Sequence, residues 1–219
     1  MKTILIVICF LSASCQGGNL KSKNSKEDFM PSYKEQLSNN SGKKNFTEFY
    51  DSTSNIYSNY QYGFSMKFPS NWAVDKGFSE HTIIRGLEKD SAITFSINVI
   101  EIKDGANDKF SIWKYFDSNR EFVETQFKRE MESSLQSAIT EYSVKKIYFD
   151  NHETLTREFV YNVKHQDFEY QMKACMYQIA KPPFLFTLGL HIPLVFFDEN
   201  PTRYNSIFNN FYFNPRKKY

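Results

Sequence analysis

Cysteine is scarce in this chain, and the scarcity already excludes several architectures. Of 219 residues, three are cysteine, at positions 9, 15 and 175. A disulfide framework and a zinc finger both need paired cysteines at short spacing, and no such pair is written here. Glycine is also thin, with 8 residues, and no glycine-rich loop suited to a phosphate is present. A Gly-x-Ser-x-Gly nucleophile elbow is missing too. The 4 histidines are scattered, at His81, His152, His165 and His191, with no His-x-His or His-x-x-x-His pair to seat a metal. A formal net charge of +2 gives no electrostatic footprint for nucleic acid. No apolar run is long enough to span a bilayer.

Aromatic residues are abundant. Phe and Tyr number 22 and 14, and the aromatic fraction of 17% suits strands and sheet faces better than helical bundles. The hydrophobic fraction of 41% supports one core of ordinary size.

The first residues form a leader. Met1-Lys2 is a short positive start, Thr3 to Leu11 is apolar, and Ser12-Ala13-Ser14 precede Cys15. This pattern resembles a bacterial lipoprotein leader. The resemblance implies that Cys15 becomes the first mature residue, carrying diacylglycerol and an acyl chain such as palmitate on its amine. Ser12 stands where such leaders usually place Leu, so ordinary secretion to the periplasm or beyond is the alternative. Gln16 rather than Asp follows the cysteine, which resembles the pattern sent to the outer membrane. The resulting expectation divides the chain into a signal peptide (1–14), a polar tether (15–55), a folded domain (56–213) and a basic tail (214–219). The tether is rich in Ser, Asn and Lys and lacks periodicity.

Within the domain, Phe64, Met66 and Phe68 share one side of a period-two strand, with Ser65 and Lys67 on the other. Pro69 stops that strand, and Trp72 is placed to fold back over the apolar face. His81–Arg85 and Ile93–Val99 are further strands, and Lys103–Asp108 is a loop without calcium-hand spacing. Ser118 and Glu121 suggest a capping box for a helix from Asn119 to Thr140, with Val123, Phe127, Met131, Leu135 and Ile139 on its core face. Four strands follow: Ser143–Phe149, Leu155–Val163, Phe168–Ala180 and Phe184–His191. Turns at Asp150-Asn151-His152, Lys164–Asp167 and Lys181-Pro182-Pro183 separate them. Asn200 and Pro201 then open a closing helix bearing Tyr204, Ile207, Phe208 and Phe211.

The expected class is α+β, one antiparallel sheet flanked by helices. Tyr62-Gly63-Phe64, the alternation to Phe68-Pro69 and Asn71-Trp72 resemble the opening of the PsbP-like family (Mog1/PsbP superfamily), and the element order over 56–213 is similar. The resemblance implies an α/β/α sandwich and a non-catalytic accessory role. Cystatin-like and NTF2-like folds are the nearest alternatives by element order.

No catalytic, cofactor-binding or metal residue is nominated. Cys175 lies in an alternating strand and is expected to be a buried, inert thiol. Arg157 and Glu158 fall on opposite faces of one strand, where an ion pair at the sheet margin is expected; a buried or rim charge is the alternative if Arg157 shares a face with Leu155 and Phe159. The expected function is that of an envelope-anchored lipoprotein docking onto a protein partner, held to the membrane through acylated Cys15. The alternative is a module for a small apolar or lipid ligand, lined by Tyr177, Phe184, Phe186, Phe196 and Phe197.

Overall fold

A computed structural model describes residues 47–213, apart from 77–78, 80, 103–109 and 166–167. Cys15, the leader, most of the tether, the loop Lys103–Asp108 and the tail 214–219 lie outside the described residues. The described residues are mainly antiparallel β, with eleven strands in two sheets and a few helices. This corrects the expectation of a single sheet.

The smaller sheet holds β1 (Glu48–Asp51), β2 (Ile56–Asn59), β3 (Phe64–Lys67) and β11 (Phe211–Phe213), in that order. The sheet therefore starts inside the stretch expected to be tether. Phe49 and Tyr50 are partly buried, and Tyr50 packs on the core. The larger sheet runs β4 (Trp72–Asp75), β5 (Thr82–Glu88), β6 (Thr94–Glu101), β10 (Phe184–Pro193), β9 (Phe168–Lys181), β8 (His152–His165), β7 (Ile139–Phe149).

Pro69 marks the corner between the sheets. It lacks an N–H for the ladder, so β3 ends and the chain turns. Trp72 N donates to Pro69 O at 3.0 Å. The Asn55 side-chain amide also donates to Pro69 O, at 2.6 Å, from a left-handed backbone (φ 57°) that Asn tolerates. Trp72 does cover the apolar face, with its ring 6.4 Å from that of Phe68.

The helices differ from expectation. Ser118 ends α1 (Ile112–Ser118) instead of capping α2 (Arg120–Leu135). Ser111 caps α1, accepting from Lys114 N. Asn119 stands between the helices and caps α2 without a side-chain hydrogen bond. Val123, Phe127 and Met131 are buried as their spacing requires. The helix stops early because Gln136 turns left-handed (φ 51°), and Ile139 begins β7. The closing segment is α3 (Leu194–Glu199), α4 (Pro201–Asn205), a 3₁₀ turn (Phe208–Asn210) and then β11. Asn200 caps α4 by accepting from Arg203 N at 3.0 Å, but the long closing helix is not formed. Its stripe is buried all the same: Tyr204, Ile207, Phe208 and Phe211 all enter the core.

That core fills the space between the two sheets. Phe64 stacks on Phe211 at 5.4 Å and meets Phe186 edge-on at 5.9 Å. Tyr177 lies flat on Phe208 at 4.0 Å. The other face of the large sheet carries two further clusters, under α1 and α2. Gly86 shows how tightly the intersheet side is filled. A Cβ there would fall 2.5 Å from the Phe68 ring and 2.8 Å from Trp72 Cε3. Gly86→Ala is therefore expected to destabilise the domain by about 1–3 kcal/mol through overpacking. Urea unfolding measures this; an unchanged midpoint would contradict the packing described.

Candidate interaction surface

The strands of the large sheet differ in length, and the difference leaves one edge open. Strand β9 is 14 residues long and β10 is 10. Pro193 pairs with Met172 as the last register position, and the chain then leaves the sheet as α3. Beyond Met172, β9 keeps its pairing with β8 but has no β10 partner. Phe168 and Tyr170 continue the strand face of Met172, Ala174 and Met176. The alternation holds, but the face outruns its cover. Phe168 is 72% exposed, while Met172, Ala174 and Met176 are buried.

Between this overhang and α3 lies an open groove of about 690 Å³. Tyr170, Pro193, Leu194 and Val195 supply its apolar lining, and Glu169, Asp198 and Glu199 its acidic rim. Val195 and Phe196 are exposed, and Lys164 lies 3.7 Å from Glu169. A strand that continues past its β10 neighbour, with apolar side chains and a charged border, is suited to receiving an extended segment of another chain.

The residues singled out for chemistry are not brought together. His81 precedes β5, His152 begins β8 with its ring tilted against Phe213 at 4.5 Å, and His191 is on β10. His165 ends β8, and its turn residues Gln166 and Asp167 lie outside the described residues. Among the described residues no group of three or more His, Cys, Asp or Glu could hold a metal ion. Cys175 is buried in the intersheet core, and burial pushes its thiol up to about 12, so it is a poor nucleophile. No described helix is long and apolar enough to cross a membrane.

Arg157 overturns the expectation of a marginal ion pair. It is 1% exposed, beneath α2, with its guanidinium 4.7 Å over the Phe127 ring. Glu158, on the other face, pairs instead with Lys173 at 3.1 Å. Both outcomes follow from strand alternation on a sheet covered on both sides: whichever residue faces α2 is buried. Of the aromatics considered as a ligand lining, Tyr177 and Phe186 belong to the filled intersheet core, and Phe184 packs edge-on against Tyr62 at 5.1 Å. Phe197 lies under Lys173, and Phe196 is exposed beside the groove.

No family model matches the sequence, and no curated protein matches it. Among solved structures, the solution structure of cyanobacterial PsbP from Synechocystis aligns with a TM-score of 0.53 at 14% identity. It covers 81% of this chain and 99% of that one. The domain is PsbP-like in fold. A Bacteroides thetaiotaomicron crystal structure aligns at a TM-score of 0.35 and 10% identity, over 67% of this chain and 41% of that one. The PsbP-like domain shares with cyanobacterial PsbP a fold, and at this identity the likeness extends no further.

One titrating group of the PsbP-like domain has a measurable consequence. His191 Nδ1 lies 2.9 Å from Tyr161 Oη, and burial pushes its pKa from 6.5 down to about 4. Above pH 6.5 the ring is neutral in both folded and unfolded chains. Between 6.5 and 4 the unfolded chain takes up a proton that the folded chain refuses, so stability falls as pH falls. His191 keeps some exposure, so the loss is expected to be about 1–2 kcal/mol. In unfolding titrations, His191→Gln should flatten the acid limb by that amount; identical pH profiles would contradict it.

Proposed function

We propose that the chain is an envelope-anchored, non-catalytic lipoprotein that serves as an accessory, protein-interaction module. In this reading acylated Cys15 holds the protein at the bacterial outer membrane, and residues 16–46 are the tether. The folded domain is read as a variant of the Mog1/PsbP-like α/β/α sandwich, with the small sheet and α4 forming one outer layer. The observation that carries the docking role is the β9 overhang, where Phe168 is exposed and Tyr170 and Val195 line an acidic groove. The partner is an envelope protein presenting an extended apolar segment with basic flanks. Its backbone adds to the β9 edge, its apolar side chains enter the groove, and its cations meet Glu169, Asp198 and Glu199. A second, lipid-binding reading loses support because Tyr177 and Phe186 are spent on the core.

The test combines membrane fractionation with crosslinking of the native-level protein in cells. Cys15→Ala should release the protein from the membrane. A Tyr170→Ala/Val195→Asp double variant should stay membrane-bound and folded but lose about tenfold or more of the crosslinked partner, the equivalent of at least about 1.4 kcal/mol. Membrane retention of Cys15→Ala would overturn the anchor. Undiminished crosslinking of the groove variant would overturn the docking surface.

A further inference from the structure

The face of the large sheet that carries α1 and α2 is apolar along most of β8 and β9. Across β6 and β10 it becomes polar. The ladder places Asn98 on β6 directly opposite Thr187 on β10, and Thr187 directly opposite Gln178 on β9. Neighbouring strands stand about 4.8 Å apart, so the three side chains form a row roughly 10 Å long. Arg157 on β8 joins the end of the row, one step diagonal to Gln178, with Nη1 donating to Gln178 Oε1.

This row is a concentration of hydrogen-bond donors. Asn98, Gln178 and Arg157 are 5%, 3% and 1% exposed. Among the described residues, Asn98 Nδ2, Gln178 Nε2 and Arg157 Nη2 are buried atoms with no hydrogen-bond partner. All three donate. The orientation of Gln178 is dictated by its neighbour, because a guanidinium has no acceptor and must face the amide oxygen. On the far side, Thr82 Oγ1 engages Asn98 Oδ1 at 2.7 Å, which turns the Asn98 NH₂ away from β5. Both amides therefore present nitrogen along a row whose middle member is the Thr187 hydroxyl. Buried donors are nearly always satisfied, so three on one face within four neighbouring strands, β6, β10, β9 and β8, point to an acceptor group among them.

The charge of the row narrows the class. Arg157 gives Nε to Tyr142 Oη at 3.2 Å and lies over Phe127, and no carboxylate lies within ion-pair distance of it among the described residues. Glu124 is near enough to act on it electrostatically, but its own oxygen is 3.3 Å from Arg120 Nε. One buried cation is balanced by one negative charge, and a dianion would leave a charge uncompensated. Thr187 and His191 are only half-buried, so the row can be reached from their side. Gly189 lies between them and adds no side chain. A Cβ there would have Ser96 Oγ at 3.5 Å as its nearest contact, so this part of the face is not crowded.

We propose that Asn98, Thr187, Gln178 and Arg157 form a binding site for the carboxylate group of a small monoanionic solute. The guanidinium supplies the charge, and the two amides and the hydroxyl orient the carboxylate oxygens. This site lies on the helix-bearing face, away from the β9 groove, and stands independently of the docking reading.

The test uses the detergent-solubilised full chain and potassium acetate as the probe, with potassium chloride at matched ionic strength as control. Thermal midpoints and the ¹³C line width of labelled acetate are read together. Acetate should raise the midpoint above the chloride control and show saturable broadening. Asn98→Leu should weaken acetate binding by about tenfold or more, the equivalent of about 1.4 kcal/mol. Thr187→Val, which keeps the β-branched shape, should weaken it in the same direction and keeps the test informative if Asn98→Leu fails to fold. Equal stabilisation by chloride would overturn the carboxylate class. No effect of acetate, or binding unchanged in a folded variant, would overturn the site.

Discussion

Everything in this domain depends on closing one apolar sheet face with a second sheet whose strands come from both ends of the fold. Phe211 pairs with Met66, and Phe213 with Phe64, so the last described strand lies beside β3. Their rings meet Phe186 in the middle of the large sheet. Each ring buries its area only if the other three are in place, so the small sheet forms with the large one or not at all. The Pro69 corner, the Asn55 clamp and the short closing helices all serve this contact by bringing β3 and β11 over the large sheet.

A core filled in this way directs function elsewhere. The aromatics between the sheets touch each other at ring-contact distances, and Gly86 has no room for even a methyl group. Two places escape that filling. One is the β9 overhang, where Pro193 ends the ladder before β9 ends. The other is the polar row on the helix side, where side chains opposite the intersheet core need not be apolar. The first has the form of a surface for another chain, and the second is the row of unsatisfied donors for which a carboxylate is proposed.

Much of the fold was legible because it is written in local periods. The alternation at Phe64–Phe68, the four-residue recurrence from Val123 to Met131 and the Pro182-Pro183 break each specify an element without reference to the rest. Sheet membership was not legible, because the pairing of β11 with β3 is a contact between distant segments. The early end of α2 was hidden because Gln136 takes a left-handed cap that Gly or Asn would usually signal. For the overhang, Pro193 was a visible signal, but its meaning depends on the register of β9 against β10. Arg157 was misplaced for a physical reason: charged residues normally sit at sheet margins, and only two-sided cover makes an inward arginine buried. Thr94, Ser96 and Asn98 are the polar members of the alternation in β6, and Ser96 and Asn98 are buried all the same.

The most direct test of the account is site-specific photocrosslinking in cells, with the probe placed at Val195 beside the overhang or at exposed Phe122 on α2. The account predicts one envelope protein captured from Val195 and absent from Phe122. Capture of that protein from Phe122 and not from Val195 would contradict it, and would move recognition to the helical face.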